Sequence, residues 1–192
     1  KNNKSISLID FLYKNITNNF TINFLNNNIF DLRKDNVKVF HFYHSVIIDK
    51  YPKAIYIPGH YIEGGSSCNI MKNPIWKLNP ESNQYLMYCE HDSLCYIDQQ
   101  SLDKIQEFEK NKNNNKKLTF YKNQNGYILC SANNLYIHQV IMGSYEIDSS
   151  TKNISVDHID KDPLNNRFDN LRIIDNLEKE ILLQEKKAKK EE

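Results

Sequence analysis

Asp157-His158-Ile159-Asp160-Lys161-Asp162-Pro163-Leu164-Asn165-Asn166-Arg167-Phe168-Asp169-Asn170-Leu171-Arg172 is the stretch whose reading decides the fold. Ile154, Val156 and Ile159 bracket the Asp157-His158 pair in a short apolar run, the pattern of a strand ending at an exposed polar site. Pro163 fixes its own φ and asparagine tolerates left-handed geometry, so residues 160–169 are expected to form a long, ordered hairpin loop. Leu171, Ile173 and Ile174 read as a return strand, and Leu177 and Ile181 follow at helical spacing.

This ordered run resembles the HNH endonuclease signature in the form found in free-standing and intron-borne nucleases. The resemblance is specific over residues 135–174 and looser over residues 73–134. It implies a ββα-metal unit of strand, loop, strand and helix, and a nucleic-acid partner. Phosphodiester hydrolysis needs an activated water and a cation near the leaving oxygen. Histidine suits the first task because it exchanges a proton near neutrality, and a carboxylate suits the second because Mg²⁺ prefers oxygen ligands. Carried over from the family, His158 is the expected general base and Asp157 the expected ligand of Mg²⁺ or another divalent metal. Asn170 matches the middle motif residue, expected to hold the strands and the base in register, and Asp160 and Asn166 match positions that brace the loop. Leu135 to Met142 resembles the helix that precedes the unit, which puts His138 beside the site. The third motif position falls on Lys179, where the family carries His or Asn. An ammonium cannot ligate Mg²⁺ and competes with it for Asp157.

Composition bounds the rest. The 192 residues carry a net charge of +1, so a nucleic acid has to be met by local patches and not by the field of the whole protein. The 27 asparagines, beside abundant Lys, Ile and Tyr, read as the imprint of an AT-rich coding sequence. Cys68, Cys89, Cys95 and Cys130 show no CxxC spacing and are expected as free thiols, with Cys89, His91 and Cys95 lacking the regular ligand spacing of a zinc site. No run of 18 apolar residues suggests a membrane span. The expected location is intracellular, in nucleus, cytoplasm or an organelle such as the mitochondrion after loss of a targeting segment, and not secreted.

The expected class is α+β, with small antiparallel hairpins and helices leading into a C-terminal ββα-metal module. Residues 1–35 read as an N-terminal extension with a helix near Ser7–Asn15, residues 36–116 as an α+β region, and residues 117–192 as the HNH-like module, with a polar break at Asn111 to Lys116. Val37 to Ile57 is rich in β-formers and reads as strands, which would point His41 and His44 to opposite faces as structural or surface residues. Gly64-Gly65 reads as a turn. Tyr85–Cys89 and Leu94–Ile97 read as a hairpin, followed by a helix capped by Ser101. Lys117–Lys122 and Tyr127–Cys130 flank an Asn-Gly turn and read as a second hairpin. Lys117, Lys122, Arg167 and Arg172 are the candidate phosphate contacts. The resemblance implies one of two functions. One is a divalent-metal-dependent DNA endonuclease. The other is a catalytically inactive descendant that binds nucleic acid, DNA or RNA, as a structural subunit of a ribonucleoprotein such as a ribosome.

Overall fold

The computed structural model describes residues 20–61, 71–90, 93–131, 134–146, 154–175, 177–178 and 180–181. Ser7–Asn15, Gly64-Gly65, Cys68, His91 and Lys179, to which expectations were attached, lie outside the described residues. The chain is α+β, as its pattern of short strands and amphipathic segments predicts, and it divides into two compact units, residues 1–80 and 81–192.

In the first unit, strands β1 (Phe20–Phe24) and β2 (Val37–His41) pair antiparallel, with Phe20 opposite His41. The connection between them is held by Asn26 and Asn36, whose side chains bond to nearby backbone groups in the manner that makes asparagine a turn former. Helix α1 (Tyr43–Lys50) follows where strands were expected. Ile47 is its buried residue, and the neighbouring β-branched Val46 is 60% exposed. Local β propensity is a weak preference that tertiary packing overrides, and here aromatic packing decides. Strand β3 (Ile55–Ile57) pairs with β6 (Ile75–Lys77), and the two-residue strands β4 (His60–Tyr61) and β5 (Met71–Lys72) form a short ladder. Buried Trp76 meets Tyr56 at 5.3 Å between ring centroids and His41 at 6.0 Å.

In the second unit, β7 (Gln84–Cys89) and β8 (Ser93–Asp98) form the expected antiparallel hairpin. Helix α2 (Gln99–Lys112) starts one turn earlier than Ser101 suggested. Asp98 is its cap, accepting from the Ser101 backbone N–H at 2.8 Å and from the Ser101 hydroxyl at 2.7 Å. Ile105 and Phe108 bury one face of this helix. Strands β9 (Phe120–Lys122) and β10 (Ile128–Cys130) make the second hairpin. Its turn runs through Gly126 at φ +87°, with the Asn123 side chain accepting from the Asn125 and Tyr127 N–H groups. Helix α3 (Ile137–Met142) ends at left-handed Gly143. Leu86, Ile97, Ile105, Phe108, Leu118 and Ile128, with Ile137, Val140 and Ile141 of α3, are the buried apolar core. Strands β11 (Ile154–His158) and β12 (Leu171–Asp175) pair antiparallel, with Asp157 opposite Arg172 and His158 opposite Leu171. Leu177, Glu178, Glu180 and Ile181 are helical.

Candidate nucleic-acid site

Loop 159–170, which joins β11 to β12, is built from side chains that replace absent backbone ladders. Asp160 accepts from the Asp162 N–H at 2.9 Å and from the Asn165 amide at 2.6 Å, which closes the first half of the loop. Asn170 donates its amide to Asp160 and to the Asn165 carbonyl, at 2.9 and 2.8 Å, and accepts from the Asp160 N–H at 3.2 Å. The Ile159 N–H donates to the Asn170 carbonyl, so Asn170 bonds both to the start of the loop and to its middle. Burial alone raises the Asp160 carboxyl, and the bonds from Asp162, Asn165 and Asn170 outweigh it, so this carboxyl sits below its ordinary range.

The loop is anchored to the β7–β8 hairpin and α2. The Asn166 N–H donates to the Tyr96 carbonyl, the Tyr96 N–H donates to the Leu164 carbonyl, and the Ser101 hydroxyl donates to the Asn166 carbonyl. Asp98 divides its carboxylate between capping α2 and accepting from the Phe168 N–H at 2.9 Å. Asn166 is wholly buried. Its amide nitrogen donates to the Pro163 carbonyl at 2.9 Å and to Cys95 Sγ at 3.4 Å, which turns its oxygen toward His158 Nε2 at 3.1 Å. An oxygen can only accept, so Nε2 carries the proton and the imidazole lone pair is on Nδ1. In the neutral ring this bond selects the Nε2–H tautomer of His158.

The strand was expected to end at an exposed polar site, and His158 is instead only 5% exposed. Residues far apart in the chain cover it. His138 of α3 meets it edge to face at 5.2 Å between centroids, and Tyr127 lies 6.0 Å away. Tyr136 stacks on His138 at 5.1 Å. Burial, assisted by the nearby His158, pushes His138 down to about 4, so it is neutral near pH 7. His138 Nδ1 is buried without a hydrogen-bond partner among the described residues, which a neutral ring tolerates better than a charged one.

Asp157 lies opposite Arg172 across the hairpin, and its Oδ2 accepts from Arg172 Nε and Nη2 at 3.1 and 2.9 Å. The same oxygen accepts from the Lys161 ammonium at 2.9 Å. Burial raises the Asp157 carboxyl, but the bonds and charges of Lys161 and Arg172 outweigh that and hold it below the usual range. The divalent ion implied at Asp157 does not fit this arrangement. One carboxylate facing two cations leaves the cluster net positive, and a third cation would be repelled. Among the described residues, no three His, Cys, Asp or Glu side chains gather as a metal site.

The other candidates are dispersed. Arg167 Nε donates to Asn165 at 3.0 Å and lies 3.8 Å from Asp169. Lys117 is bound at 2.7 Å to Glu109, whose second oxygen accepts from the Leu118 N–H, which gives this lysine a partner within the fold. Lys122 pairs opposite Ile128 at the turn end of its hairpin. Cys89, Cys95 and Cys130 are buried and form no disulfide among the described residues, and burial beside Cys95 pushes the Cys89 thiol up. Sequence reasoning missed Tyr127 beside His158 and Cys95 beside Asn166, because nothing local marks a contact spanning tens of residues, and it passed over Tyr136, which stacks on His138 two residues away. It also passed over Lys161, although a cation three residues after the histidine, in a tight turn, is a readable signal.

Residues 136–180 match a family model described as HNH endonuclease, which supports the resemblance carried by Asp157 to Arg172. The match makes a nuclease-like, nucleic-acid-related function the general reading of this segment. No curated protein and no solved structure matches the chain. Among the described residues, no helix is long and apolar enough to cross a membrane.

Proposed function

We propose that the chain is a nucleic-acid-binding protein built on an HNH-type ββα module, and that in its present form the module binds a phosphate backbone without hydrolysing it. The observation that carries this reading is the neutralised Asp157, whose Oδ2 is shared by Lys161 and Arg172. Those two side chains are 42% and 45% exposed, and together they carry one positive charge more than Asp157 balances, which favours a phosphate. Cations contact phosphates directly, and this term dominates sequence-independent affinity. The burial of His158 beneath Tyr127 and His138 supports the same reading. The helical residues 177–178 and 180–181 after β12 support the third element of the module.

The second reading is divalent-metal-dependent hydrolysis of DNA. It is favoured by the His158 tautomer, set by Asn166, and by the intact Asp160–Asn165–Asn170 network. In that case His158 would take the proton of water at Nδ1, Asn170 would hold the strands, and His138 would exclude solvent on one side. A divalent ion would supply charge stabilisation at the leaving oxygen, which the arrangement at Asp157 opposes.

The test of the first reading is fluorescence anisotropy with labelled DNA and RNA duplexes in EDTA. Binding is expected without any divalent ion, weakening as salt rises. Arg172→Gln should weaken it uniformly across sequences and lower the salt slope by about 1. A chain that binds no duplex in EDTA at low salt overturns the reading.

A further inference from the structure

Lys161 combines two features that its neighbours do not share. It is a non-glycine residue at φ +67°, within the turn that follows β11. A left-handed conformation is disfavoured for a side chain with a Cβ and persists where surrounding structure imposes it. The same turn is closed by the Lys161 N–H donating to the His158 carbonyl at 3.1 Å, and it sends the ammonium back to Asp157 Oδ2 at 2.9 Å. The Asp157 side chain is 15% exposed, so its carboxylate has little room for a further ligand.

We propose that Lys161 is a resident cation that occupies the place of a metal ion at Asp157, closing the site to divalent ions until its charge is removed. Arg172 alone balances Asp157, one charge against one, whereas Lys161 makes the cluster net positive. The lysine is tethered by its own backbone, so it competes at a high effective concentration that a free ion has to match. Without the ammonium, a divalent ion meets a neutral pair with a carboxylate oxygen open to it. This inference rests on the binding reading above, but it is decided by a separate readout.

The experiment is Mn²⁺ titration of the full chain, followed by electron paramagnetic resonance and by paramagnetic broadening of the amide signals of residues 157–161. Wild type should show no broadening centred on these amides. Lys161→Gly, which suits the left-handed turn and therefore folds, should bind Mn²⁺ at least tenfold more tightly there. Lys161→Arg, which keeps the charge, should stay closed, and adding Asp157→Asn to Lys161→Gly should abolish the gain. The proposal is overturned if wild type or Lys161→Arg binds Mn²⁺ at Asp157 as tightly as Lys161→Gly does, or if Lys161→Gly gains no affinity. Duplex binding in EDTA stands or falls independently of each of these results.

Discussion

Two pairs of histidines sit among aromatic rings in this protein, one in each compact unit, and their hydrogen bonds set them apart. In the first unit His44 stacks on Phe40 at 3.9 Å, and its Nδ1 accepts from the Trp76 indole N–H at 3.1 Å. In the second, His158 contacts His138 and Tyr127, and its Nε2 donates to the Asn166 oxygen. Both rings carry their proton on Nε2. The indole consumes the lone pair of His44 on Nδ1, whereas the Asn166 amide bonds the opposite nitrogen of His158. A histidine's neighbours in sequence therefore say less about its chemistry than whether its partner is a donor or an acceptor.

Removing the partner in each unit breaks this comparison most directly. Trp76→Ala takes away a fully buried indole and the donor to His44, and is expected to cost about 3–5 kcal/mol in urea unfolding followed by circular dichroism. A loss under 1 kcal/mol would mean that the aromatic cluster does not organise the first unit. Asn166→Ala strips the partners of His158 Nε2 and the Pro163 carbonyl, both donor or acceptor groups within the fold. At roughly 1–3 kcal/mol for each unsatisfied buried group, about 3 kcal/mol is expected. Nitrogen chemical shifts of His158 should also lose the signature of a fixed Nε2–H tautomer. Retention of that signature would show that something other than Asn166 sets it.

Acidification sharpens the contrast. His138 has a folded value of about 4 against an ordinary value of 6.5, so between these pH values the unfolded chain binds more protons than the folded one. Its contribution is fully present above about 6.5 and is lost as pH falls toward 4, by at most about 3 kcal/mol. His44, lowered through burial, acts in the same direction. Asp157 acts in a lower window: its depressed carboxyl stabilises the fold above the ordinary carboxylate range and loses that contribution as pH falls through its folded value. Denaturation at several pH values should show the first loss in wild type and a flatter profile in His138→Gln. Equal slopes would remove His138 from the account. The smallest effect is expected from Lys161→Gly, which exchanges relief at φ +67° for a lost surface ion pair and a more flexible unfolded chain. Its stability should lie within about 1 kcal/mol of wild type, and a larger loss would mean that the ion pair holds the hairpin together.

The same residues show what was legible in the chain. The hairpin around loop 159–170 could be read because its bonds are local: Asp160 reaches Asp162 and Asn165, and Asn170 reaches back ten residues. The Asn123–Gly126 turn was readable for the same reason. Helix Tyr43–Lys50 was not, because Val46, Ile47 and Ile48 favour strands and only packing around His44 and Trp76 selects the helix. Asp98 and Ser101 share one cap, and the serine alone looked sufficient. His138 beside His158 could be expected from the resemblance, but Tyr127 over the same ring and Cys95 behind Asn166 could not, since Cys95 lies 71 residues from Asn166 and Tyr127 belongs to another hairpin. Lys161 marks the middle case. Four residues from Asp157, it has the spacing of a helical ion pair but makes its contact through a left-handed turn.

The measurement closest to the central claim is nicking of supercoiled DNA by the purified chain in Mg²⁺ or Mn²⁺, beside His158→Ala and a binding assay on the same plasmid. With Asp157 neutralised by Lys161 and Arg172, the expected result is retained binding and no nicking above the His158→Ala background. Nicking by wild type that disappears in His158→Ala would contradict it, and would make the lone pair on His158 Nδ1 a working base.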